Sequence, residues 1–110
     1  MNYYRQGDVA IIPVTKTVKG KRGKRIERDA GRIVLAYGEV TGHAHAILDV
    51  DAELYEGLET AAAADRFLRI GRGGATLVHE EHAPISLPEG DYVVRLQREY
   101  HPEEIRRVLD

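Results

Sequence analysis

Glycine and proline cut this chain of 110 residues into apolar segments that are nearly all of strand length. Gln6-Gly7-Asp8 reads as a turn, and Val9-Ala10-Ile11-Ile12-Pro13-Val14 after it is an apolar run suited to a strand. Proline has no N–H to give to a ladder, so Pro13 belongs at an edge or a strand end. Lys16 to Lys24, with Gly20 and Gly23 among its charges, reads as a mobile hairpin tip or loop. Arg32 to Tyr37 is a second strand closed by Gly38, His43 to Val50 a third, and Glu53 to Glu56 a short fourth. Arg66–Ile70 and Ala75–His79 flank Gly71-Arg72-Gly73-Gly74, which predicts a hairpin. Pro88-Glu89-Gly90-Asp91 is another turn, and it launches Tyr92 to Tyr100, the longest strand candidate. By period 2, Tyr92, Val94 and Leu96 share one face of that strand, and Arg95, Gln97 and Glu99 the other. Thr60 to Asp65 is the best helical patch, too short to be stable alone. Ile105 to Leu109 fits a last strand or one helical turn. The expected fold is all-β and mainly antiparallel, a small β-barrel or sandwich with at most one short helix, as a single domain over residues 1–110. Such folds pair through an edge or a face, so a homodimer is expected.

Composition removes several functions. The chain has no Cys, which excludes disulfides, thiolate catalysis and Cys-ligated zinc or iron–sulfur sites. Hydrophobic residues make up 43% and charged residues 31%, the balance of a soluble globular chain. No apolar run approaches the roughly 20 residues of a membrane helix. Met1 to Gln6 has no apolar signal region, so cytoplasmic residence without a membrane partner is expected. The net charge of −2 hides a split. Residues 1–50 hold nine Lys/Arg against five Asp/Glu, and residues 51–110 hold seven against thirteen. Seven basic residues fall within 16–28, which suits one face to an anion. Ser86 is the only serine and no Gly-x-Ser-x-Gly is present, so a serine hydrolase is excluded. Gly71 to Gly74 lacks the Lys-Ser/Thr of a P-loop.

Four of the five histidines come in pairs, His43-Ala44-His45 and His79-Glu80-Glu81-His82. On a strand His43 and His45 point to one side, while His79 and His82 converge only if the chain bends, which nearby Pro84 favours. The second pair is not the zincin His-Glu-x-x-His, so a metalloprotease is rejected. Two histidines that titrate near neutral pH can take a proton from a ribose 2′-OH and return one to the leaving oxygen. A basic group beside them stabilises the charge that builds on phosphorus. The chain supplies both parts, with His43, His45, His79 and His82 as acid and base. Arg22, Arg25 and Arg98 would hold phosphate, together with His101. Tyr3, Tyr4, Tyr37 and Tyr100 would stack bases. In size, β content and this polar inventory the chain resembles the CRISPR ancillary ring nucleases. That resemblance implies metal-independent opening of a cyclic oligonucleotide to a 2′,3′-cyclic phosphate, at a site across a two-fold axis.

The leading expectation is therefore a phosphodiesterase that acts on RNA or a cyclic oligonucleotide without a cofactor. A second expectation uses the same four histidines as ligands of a divalent transition metal, with oxygen from Glu80 or Glu81. Gly38 to His45, a Gly followed by His-x-His, resembles the first motif of cupin barrels, and Pro88-Glu89-Gly90 resembles the turn of their second. The resemblance implies a metal site in a β-barrel. A third expectation is a non-enzymatic binding module, in which the histidines are surface groups.

Overall fold

The computed structural model describes residues 3–14, 22–38, 42–57 and 65–96. Among the described residues ten strands form: β1 (Tyr4–Gln6), β2 (Val9–Pro13), β3 (Arg22–Arg25), β4 (Ile33–Tyr37), β5 (Ala44–Ile47), β6 (Ala52–Gly57), β7 (Arg66–Ile70), β8 (Ala75–Val78), β9 (Ile85–Leu87) and β10 (Gly90–Leu96). Every pairing between them is antiparallel. Six strands make one sheet in the order β1-β2-β10-β7-β6-β3, and four make the other in the order β4-β5-β8-β9. The hairpins β4/β5, β6/β7 and β8/β9 fall alternately to the two sheets. The all-β expectation is borne out. Among the described residues there is no helix, so none is long and apolar enough to cross a membrane.

Both sheets turn alternate residues toward one shared core. Val9, Ile11, Leu54, Leu68, Ile70, Tyr92 and Val94 enter it from the larger sheet, and Ile33, Leu35, Ile47, Leu77 and Leu87 from the smaller. In β10 the expected face is the buried one, with Tyr92 and Val94 inside and Leu96 packed at its border. Arg95 points the other way and grips Asp65, at 3.0 and 2.7 Å. Pro13 ends β2, as its missing N–H requires. Gly7 and Asp8 join β1 to β2, whose register pairs Gln6 with Val9. Gly7 has φ +60° and Asp8 is not left-handed, the pattern of a type II′ hairpin turn.

Three expectations need correction. Gly71 to Gly74 does not close a hairpin: β7 lies between β10 and β6, and β8 lies between β5 and β9 in the other sheet. The segment is a corner of the sandwich. Leu68 and Ile70 reach the core from one side, and Ala75 and Leu77 from the other. Gly71 N–H donates to Asp51 O at 2.7 Å, and a Cβ on Gly71 would displace the exposed Asp51 carboxylate, whose Oδ1 lies 2.1 Å from its position. Arg22 to Lys24, expected in a hairpin tip or loop, forms β3 together with Arg25, against β6 with a register shift. The third strand stops at Ile47, and Leu48 and Val50 are exposed. Residues 60–64 of the helical patch, Gln97 to Tyr100, His101 and Ile105 to Leu109 lie outside the described residues.

Candidate functional site

The β5–β8 ladder places Ala46 opposite Val78 and Ile47 opposite Leu77. Continued by one residue, the same register sets His45 across from His79, and by one more sets Ala44 across from Glu80. The side chains follow. The rings of His45 and His79 lie 4.3 Å apart between centroids, and Ala44 N–H donates to Glu80 Oε1 at 3.0 Å. His43, His45 and Ile47 share a face by period 2, and Ile47 is in the core, so that face looks inward. The β4–β5 pairing extends to the motif through Gly38 N–H, which donates to His43 O at 2.5 Å. Beyond Val78 the chain bends, and His82 returns to within 4.7 Å of His79 and 5.8 Å of His45, centroid to centroid. His43 stands 5.5 Å from His79. Both pairs thus meet within one chain, at the end of the smaller sheet.

The cluster is graded by depth. His45 is buried, His43 and His79 are half-buried, and His82 is exposed. Gln6 reaches it from β1, in the other sheet, and is itself buried. Gln6 Oε1 lies 2.8 Å from His45 Nδ1, and Gln6 Nε2 donates to Leu77 O at 3.2 Å and Ala83 O at 2.9 Å. Glu81 N–H donates to His79 Nδ1 at 3.0 Å, and Glu81 Oε2 lies 3.5 Å from His43 Nδ1. The Ala44 N–H, the Glu80 N–H and, to a lesser degree, His43 and His79 hold the Glu80 carboxyl below its usual range. A carboxylate has acceptor capacity beyond one such bond. His43, His79 and Glu80 offer ligand atoms that all lie within 4.8 Å of one another.

The other expected residues are not gathered here. Arg22 and Arg25 lie on β3 in the larger sheet, where Arg25 stands 3.7 Å from Glu53. Arg98, Tyr100 and His101 are outside the described residues. Tyr4 packs edge-on against Tyr92, the Tyr37 hydroxyl donates to Asp29, and Tyr3 is exposed. Two neighbours of the cluster were not legible as such. Gln6 reads only as the start of a turn, because its partners are about 40 and 70 residues away. Arg32 reads only as a strand residue, yet with Ala44, Ala46, Leu48, Val78, His79 and Glu80 it lines a shallow groove of about 310 Å³, on the face of β5 opposite His43 and His45.

A family model described as a domain of unknown function (DUF8820) matches residues 5–97, and the chain belongs to that family. No curated protein matches the chain. No solved structure matches it either.

Proposed function

We propose that this member of the DUF8820 family binds one divalent transition metal at the histidine cluster. The observation that carries this reading is the convergence of His43, His79 and Glu80, with ligand atoms within 4.8 Å, beside buried His45. Zinc bonds of about 2.0–2.2 Å require donors roughly 3–4 Å apart, so side-chain rotations of less than about 1 Å close the set. Imidazole and carboxylate donors suit Zn, Fe, Ni or Cu better than the all-oxygen preference of Mg or Ca. The exposure of His82 and Glu81 leaves the solvent side open, as in centres that keep a position for water. Such a water is a nucleophile at neutral pH, which favours hydrolytic chemistry.

The second reading is a metal-independent phosphodiesterase acting on RNA or a cyclic oligonucleotide, as a homodimer. One observation favours it. His79 Nδ1 accepts the Glu81 N–H, so a neutral His79 carries its proton on Nε2 and can donate a hydrogen bond to a phosphate oxygen beside His45.

Metal analysis of freshly purified protein separates the two. The metal centre predicts about one metal per chain, lost in His43→Ala and His79→Ala and stripped by chelator together with any activity. A chain without metal, cleaving RNA or cyclic oligoadenylate in EDTA to 2′,3′-cyclic phosphate ends, would replace it with the second reading. Sedimentation of the native protein tests the homodimer.

A further inference from the structure

Gln6 joins His45 to the segment that carries His79 and His82. Its side chain is 2% exposed and bonded at both ends. The amide nitrogen donates to Leu77 O and Ala83 O, carbonyls on either side of the bend that carries His79 and His82. Carbonyl oxygens only accept, so the amide cannot flip without setting its own oxygen against both of them. The orientation of Gln6 is therefore fixed, and its oxygen faces His45 Nδ1 at 2.8 Å. An amide oxygen accepts, so Nδ1 must carry a hydrogen. In the neutral ring the lone pair then resides on Nε2.

We propose that Gln6 is a positioning residue that holds His45 in the Nδ1–H tautomer, with Nε2 as its donor atom toward the cluster. Metal-bound histidines are commonly set in this way by a hydrogen bond at the other nitrogen. The ligand role of Nε2 adds His45 to the set of His43, His79 and Glu80 and rests on the metal reading; the tautomer does not. The inference also makes Gln6 a link between the sheets, since β1 belongs to the larger sheet and β5 and β8 to the smaller. No local pattern in the sequence pairs position 6 with position 45.

The test is a long-range proton–nitrogen correlation spectrum of the metal-free, nitrogen-15 labelled chain at alkaline pH, where the imidazoles are neutral. Wild type is expected to show His45 with a protonated Nδ1 and an unprotonated Nε2. Gln6→Leu is expected to mix the tautomers and to weaken zinc binding by roughly 10- to 100-fold. A wild-type His45 protonated at Nε2 overturns the proposal, whether or not Gln6→Leu folds. So does a folded Gln6→Leu with the Nδ1–H tautomer and zinc affinity within twofold of wild type. Wild type with the Nδ1–H tautomer but no zinc binding supports the role of Gln6 and refutes the metal centre instead.

Discussion

Gly7 offers a perturbation whose two effects can be separated. It has φ +60°, and an added Cβ would stand 3.0 Å from His82 Nε2 and 3.3 Å from His45 Cε1. Gly31 is the control, because it has φ +84° with nothing within 4 Å of its added Cβ. A residue with a Cβ in the left-handed region costs roughly 1–2 kcal/mol, so both Gly7→Ala and Gly31→Ala should lose about that much. At roughly 4–8 °C per kcal/mol for a domain of this size, each variant melts several degrees lower. The contact at Gly7 adds little to the stability loss, because exposed His82 can swing aside by the few tenths of an ångström required. That movement takes an imidazole out of the cluster, and the added Cβ presses on buried His45. Gly7→Ala should therefore bind zinc about tenfold more weakly, equivalent to about 1.4 kcal/mol, while Gly31→Ala binds as wild type does. Urea unfolding and calorimetric zinc titration of the three proteins read both quantities. Equal zinc affinity in the two variants would refute the reasoning.

Leu77 is fully buried opposite Ile47 in the ladder that sets the cluster, so Leu77→Ala should cost about 2–5 kcal/mol in urea unfolding and weaken zinc binding as well. The Glu80 carboxyl titrates below its unfolded value of 4.5, so its contribution to stability is complete above that pH and is lost as pH falls through the lowered folded value. The acid limb of a pH–stability profile should accordingly flatten in Glu80→Gln, and an unchanged limb would contradict the assignment. Zinc on His79 removes the Glu81 N–H···Nδ1 bond whichever nitrogen ligates, since ligation through Nε2 puts a proton on Nδ1. The Glu81 amide resonance should shift on zinc addition, and no movement would exclude His79 as a ligand.

Local chemistry made some of this molecule readable in advance. Period 2 named the buried face of β10, Pro13 marked the end of β2, and Gly7 marked the first turn, because each depends on neighbours within a few residues. The destination of a strand does not. Gly71 to Gly74 has the composition of a hairpin turn, yet whether the chain folds back in its own sheet or crosses to the other depends on which core face is still open. The histidine pairs were visible as spacing, but their meeting depends on the β5–β8 register, set by Ile47 and Leu77 in the core rather than by the histidines. Gln6 was invisible for the same reason: its partners come from another sheet.

The central claim is that the two pairs form one site, and a double-mutant zinc titration tests it most directly. Wild type, His43→Ala, His79→Ala and the double variant are titrated with zinc under identical conditions. One shared site predicts that wild type binds a single equivalent, that either single variant weakens it at least tenfold, and that the double variant loses less than the product of the two. Two equivalents in wild type, with one surviving unchanged in each single variant, would show that the pairs act separately and contradict the account.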